Sequence, residues 1–123
     1  NIDRNVFLSN FRDDLSLVLE KTKVLLITAQ VFESFGFAAI EAMAHSVPVV
    51  VTRIGAMPEV VLDNQGGYCV EKENANLFAE MVIKLLQDDR LRKQQGQKAF
   101  QRYKDFFAAD QMAKKYMQLI HNE

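Results

Sequence analysis

The sequence predicts an α/β fold, a parallel sheet with helices on both faces. Two observations carry this. Three short runs, residues 24–28 (VLLIT), residues 48–52 (PVVVT) and Gly67–Val70 (GYCV), lack the alternation of a half-exposed strand. Strands covered on both faces look like this. Helical patterns separate each run from the next, and strands alternating with helices imply βαβ units. A length of 123 residues suits one domain, and 49% apolar with 25% charged residues is ordinary globular composition.

Taken in order, residues 5–8 (NVFL) read as a short strand, followed by the turn signal Ser9-Asn10. Asp13 and Asp14 favour a helix start, and Leu15, Val18 and Leu19 supply the stripe of an amphipathic helix ending near Lys23. After the first buried strand, residues 36–45 read as a helix. From Phe37 to Ala44 a single carboxylate, Glu41, stands among apolar side chains, so this helix is expected to be buried all round. Pro48 fits only at the start of the second strand. Gly55 marks a loop, and Pro58 opens a short helix with Glu59 in its first turn. Gly66-Gly67 turns into the third strand. Asn74 or Asn76 caps a helix running to about Gln87, with Leu77, Phe78, Met81, Val82, Leu85 and Leu86 inward. Residues 88–104 form a more polar helix, read as solvated and interrupted by Gly96. Ala109–His121 closes the chain as an amphipathic helix on Met112, Tyr116, Leu119 and Ile120.

Charge excludes some functions. Fifteen basic residues against sixteen acidic give a net charge of −1, which argues against bulk nucleic-acid binding. The single Cys69 excludes an internal disulfide and suits a reducing compartment; in an apolar strand it reads as a small core residue. With His45 and His121 far apart, a His/Cys zinc site is not expected. The apolar runs are too short for a membrane span.

Other residues point to a ligand. A buried Glu41 would need an answering group, a protein cation or a bound ligand. Just ahead of it, Gly36 lets the backbone approach closely at a helix start, where N–H groups and the helix dipole favour phosphate. The loops at residues 9–12, 29–35 and 53–57 follow strands and should share the rim where such sheets bind ligands. Glu33 lies in the middle loop. Phosphate at a helix tip, with carboxylates before and inside the helix, suggests a molecule carrying both phosphate and hydroxyls. Arg12 and Arg53 are candidate phosphate or base contacts on the rim. His45 reads as an exposed helix-end residue, and Phe35 and Phe37 as core anchors. Asp13-Asp14 and Asp88-Asp89 read as dipole-favoured caps.

Glu33, seven intervening residues and Glu41, within ESFGFAAIEAMA and followed by VPVVVT, resemble the retaining glycosyltransferases of family 4, which have the GT-B fold of two facing Rossmann-like domains. NVFLSNFRDD, TRIGAMPEVV, GGYCV and LLQDDRLRKQQG match further stretches of that family in order, so the resemblance covers nearly the whole chain. It implies that residues 1–123 are part of the C-terminal, donor-binding domain, without its upstream βα units and without the acceptor domain. The reaction implied is transfer of a sugar from a nucleotide-diphosphate sugar to a carbohydrate or lipid-linked acceptor with retention of configuration. Glu33 would contact the transferred sugar, the backbone of Phe35, Gly36 and Phe37 the diphosphate, and Glu41 the ribose diol. Asn10 and Arg12 would lie near the nucleobase. No cofactor and no divalent metal are implied, nor a nucleic-acid partner. The resemblance places the enzyme in the cytoplasm, with any membrane contact made through the acceptor domain.

The chain departs from that pattern at several positions. Ser46 replaces a usual Gly, which would cost about 1 kcal/mol if the position needs a positive φ. Ala29-Gln30 replaces Pro-Ser, Ala56 replaces Gly, and Arg53 replaces an acid. Other readings are a GT-B relative such as a sugar-nucleotide epimerase or phosphorylase, or a non-catalytic nucleotide-binding module. In a strand order of 3-2-1-4-5-6, residues 5–8 would be strand 3 and the three buried runs strands 4, 5 and 6. The edge at residues 24–28 would then be open, to be filled by residues 5–8, by a second copy, or by upstream residues.

Overall fold

The computed structural model describes residues 4–10, 12–31 and 36–121. The elements are α1 (Leu15–Glu20), β1 (Leu25–Ile27), α2 (Phe37–Ala44), β2 (Val49–Thr52), α3 (Met57–Val60), β3 (Gly67–Val70), α4 (Ala75–Gln87), α5 (Asp89–Arg102), a π turn (Tyr103–Phe107) and α6 (Ala109–His121). The strands form one parallel sheet in the order β1-β2-β3. Leu25 stands beside Val49 and Ile27 beside Val51, while Val49 stands beside Gly67 and Thr52 beside Val70. The three buried strands are therefore contiguous and parallel, as the apolar runs predict.

Alternation along β2 and β3 divides the core. Val49, Val51 and Cys69 join Leu19, Ile40, Met43, Met57, Val60 and Ala99 on one face. Val50, Tyr68 and Val70 join Leu85 on the other, flanked by Phe78, Met81 and Val82 of α4. Helices therefore cover both faces. Leu77 and Leu86, expected inward, are exposed, since the buried stripe of α4 is narrower than the apolar one. Asn74 caps α4 by accepting from the Leu77 N–H at 3.1 Å, and Asp88 caps α5 by accepting from the Leu91 N–H at 3.0 Å.

Several expectations are corrected. Residues 5–8 form no strand; Phe7 is 89% and Leu8 96% exposed. An apolar run becomes a strand only where a neighbour offers a hydrogen-bonding edge, and residues 5–8 do not pair with β1. Asp14 precedes α1, but its side chain caps nothing because Arg12 holds it. Gly96 does not interrupt its helix. It is where α5 comes closest to the turn after α2: a Cβ there would overlap the Ser46 carbonyl oxygen. Nor is α5 wholly solvated, since the buried Gln95 Oε1 accepts from the Gly66 N–H at 2.9 Å.

Ser46 has φ 60, the left-handed conformation for which glycine is the ordinary occupant. The Ala108 N–H donates to the Tyr103 carbonyl at 2.9 Å, five residues back, which makes the π turn and lets α6 leave α5 in a new direction. Arg102, just before it, donates from Nε to the Val60 carbonyl at 2.9 Å and from its other arm to the Glu59 carbonyl at 2.6 Å, fastening α3 to α5. Among the described residues, no helix is long and apolar enough to cross a membrane.

Helix propensity alone favours Ala over Gly inside α5 by about 1 kcal/mol. The contact with Ser46 reverses the sign. Gly96→Ala is expected to lose up to about 2 kcal/mol net, because overpacking costs about 1–3 kcal/mol. Urea unfolding of the protein measures this, and a higher midpoint for the variant would contradict the close approach.

Candidate functional site

The strands end on one side, and their exits are tied together. The Thr52 hydroxyl, buried at the end of β2, donates to the Ala29 carbonyl at 2.5 Å. Gln30 reaches from the exit of β1 to that of β3, its Oε1 accepting from the Glu73 N–H at 3.0 Å. Arg53 Nε stands 2.8 Å from Glu71 Oε1, so the expected extra cation on this rim is already paired. That pair is largely exposed and is worth little by itself.

Gly36 precedes α2 with φ 78 and is buried. Its left-handed backbone is what favours glycine; a Cβ there would meet only the flexible tip of Met57, which can shift. Among the described residues, no side chain caps α2 at this end. Met57 of α3 packs near the start of α2, and Ala39, Ile40, Ala42 and Met43 fix its inner face.

The other face of α2 corrects the sequence reading. Glu41 is exposed, not buried, and so is Ala38. Phe37, expected as a core anchor, is 68% exposed. The helix is apolar all round in composition but buried along one stripe, because alanines tolerate solvent as readily as packing. Glu41 therefore needs no internal cation and has no ion pair among the described residues. It borders a groove of about 300 Å³ with Phe37, Ile40, Tyr103 and Phe107. His45, half-buried at the end of α2, donates from Nδ1 to the Glu41 backbone carbonyl at 2.9 Å. A carbonyl only accepts, which fixes the proton on Nδ1.

A larger groove, about 540 Å³, lies between α4 and the strand ends on the α4 face of the sheet. Thr28, Gln30, Thr52, Glu71 and Glu73 line one part of it, and Leu26, Phe78, Val82 and Ile83 another. Glu41 is not part of this groove. Asn10 and Arg12 are not brought to the strand ends by any hydrogen bond or ion pair among the described residues. Ser9 Oγ donates to the Asn10 carbonyl at 3.0 Å, and Arg12 Nε donates to Asp14 at 2.7 Å. That hydrogen bond holds the Asp14 carboxyl below its ordinary pKa and raises that of Arg12. Glu33 and Phe35 lie outside the described residues. Gln30, Glu73 and Gln95 escaped the sequence reading as participants; polar residues in loops and on a polar helix carry no periodic signal.

The comparisons with known proteins agree with this architecture. The sequence pattern described as "Glycosyl transferases group 1" matches residues 1–102. The chain is 30% identical over 120 residues to the N-acetyl-alpha-D-glucosaminyl L-malate synthase of Bacillus anthracis, covering 98% of this chain and 31% of that protein. It is 31% identical over 123 residues to the poly(ribitol-phosphate) alpha-N-acetylglucosaminyltransferase of Staphylococcus aureus, covering 99% of this chain and 25% of that one. A crystal structure of a point mutant of S. aureus TarM, in complex with Fondaparinux, alpha-GlcNAc-glycerol and UDP, superposes with a TM-score of 0.85 at 31% identity, covering 96% of this chain and 24% of that one. The fold is that of the GT-B glycosyltransferases. The chain belongs to the group 1 glycosyl transferase family. It spans about a quarter to a third of the length of these curated relatives.

Cys69 tests the packing beneath the strand ends. Burial pushes its thiol above the ordinary value, a shift partly opposed by nearby Arg53. A thiol that stays protonated and covered reacts slowly, so labelling of native protein at pH 8 is expected to run roughly a hundredfold below the rate in urea. Equal rates in the two conditions would contradict this placement.

Proposed function

We propose that this chain is part of the C-terminal, donor-binding domain of a retaining glycosyltransferase of family 4. The reaction is transfer of a sugar from a nucleotide-diphosphate sugar to a carbohydrate or lipid-linked acceptor carried by an acceptor domain of the same enzyme, in the cytoplasm. The observation that carries this reading is the placement of Glu41. It stands one turn into α2, exposed, beyond an N-terminus that begins at Gly36, a residue with no side chain to cap it. The match over residues 1–102 and the likeness to a UDP-bound relative support it.

In this reading the diphosphate meets the backbone N–H groups of Phe35, Gly36 and Phe37 at the start of α2. Helix N-termini favour anions there. An ionised carboxylate is acceptor-only, and Glu41 takes hydrogen bonds from the two ribose hydroxyls. Glu33 holds hydroxyls of the transferred sugar. Asn10 and Arg12 are assigned near the nucleobase, and Arg12 must then leave Asp14 or bring it along. The donor phosphate itself assists removal of the acceptor proton, and no metal or cofactor is invoked.

Glu41→Gln in the full-length enzyme is expected to keep the fold and weaken nucleoside-diphosphate binding about tenfold. This is the lower end for a charge-assisted pair, because the carboxylate is solvated before the ligand arrives. Isothermal calorimetry measures it, and equal affinities would remove the ribose assignment. Glu33→Ala is expected to lower turnover while nucleoside-diphosphate affinity stays nearly unchanged; a variant with full turnover would remove Glu33 from the site.

A further inference from the structure

We infer that Gln30 is a positioning residue for transfer, a carboxamide clasp that fixes the exit of β1 against the exits of β2 and β3. The inference rests on the donor-site reading above. Gln30 Oε1 accepts from the Glu73 N–H at 3.0 Å, forty-three residues away in sequence, while its Nε2 donates to the Thr28 carbonyl at 3.2 Å. Because a backbone N–H can only donate, the Glu73 contact also fixes which end of the carboxamide faces which partner. One residue earlier, the Ala29 carbonyl accepts from Thr52. Two consecutive residues leaving β1, Ala29 and Gln30, are thus held by groups from the exits of β2 and β3.

The far end of the clasp is itself constrained. Glu73 has φ 64, a left-handed backbone that costs an ordinary residue about 1 kcal/mol. It immediately precedes Asn74, the residue that caps α4. This conformation presents the Glu73 N–H to Gln30 and places the α4 cap in register. Downstream, Gly36 is buried beside Met57 and holds a left-handed backbone. Gln30 thus holds the exit of β1, and Glu41 lies one turn into α2, which begins after Gly36. Gln30 is assigned no contact with the reacting atoms; it acts by setting how the chain leaves β1. The contacts are solvent-exposed, so their effect is on geometry more than on stability.

The test uses the full-length enzyme and the nucleotide sugar it turns over. Gln30→Ala is expected to lower kcat/KM for the donor about three- to tenfold, with the loss in kcat and with the melting temperature nearly unchanged. Gln30→Glu keeps an oxygen for the Glu73 N–H but loses the donor to the Thr28 carbonyl, and is expected to recover part of the rate. Wild-type kinetics in Gln30→Ala would overturn the clasp, as would an equal loss in Gln30→Glu, or a loss matched by a fall in melting temperature. If the wild-type protein bound no nucleotide sugar, the donor-site reading would fail first and the clasp's role with it. Donor turnover by wild type with an indifferent Gln30→Ala would remove the clasp alone.

Discussion

Val49, Val50 and Val51 have no exposed surface and Thr52 has 3%, because β2 is covered on both faces and paired on both edges. The rest of the structure depends on this strand. Val49 and Val51 set the face on which α2, α3 and α5 pack, and Val50 sets the face for α4. Each such valine contributes about 1.5–3 kcal/mol through burial. Thr52 then carries the constraint out of the core, since its hydroxyl finds its acceptor at the exit of β1 and holds it there. A buried strand thereby fixes the rim as well as the core.

Close backbone approach turns that frame into a site. Gly96 against the Ser46 backbone holds the C-terminal end of α2 through α5, and Met57 of α3 packs near Gly36 at its start. With its C-terminal end held and one stripe buried, α2 presents Glu41 to solvent in a fixed orientation. An exposed carboxylate has its oxygens open to an arriving ligand. A buried one would first need a partner to make it tolerable. The exposure of Glu41 thus changes the reason the residue is suited to hydroxyl donors.

Where the sequence was legible, a local signal agreed with the tertiary outcome. The unalternating runs became three parallel strands in the expected order, and Asn74 and Asp88 began their helices as capping residues do. Ser46 adopts the positive φ that its place after α2 suggested. Where the reading failed, the missing information was a neighbour. NVFL has the composition of a strand, yet strands are made by pairing, and no edge among the described residues receives it. FAAIEAMA has the composition of a buried helix, but Ala38 and Phe37 face outward because the sheet covers one stripe only. Gly96 suggested a break because a glycine's local effect is visible in sequence and its contact with Ser46 is not. The Gln30 clasp joins loops forty-three residues apart, beyond the reach of any periodicity.

Reception of a nucleoside diphosphate by the start of α2 and Glu41 together is tested most directly by a crystal structure of the full-length enzyme with that ligand. The diphosphate is expected at the N-terminus of α2, with both ribose hydroxyls within hydrogen-bond distance of Glu41. A ligand seated instead in the groove between Gln30 and Phe78 on the α4 face of the sheet, with Glu41 still facing solvent, would contradict it.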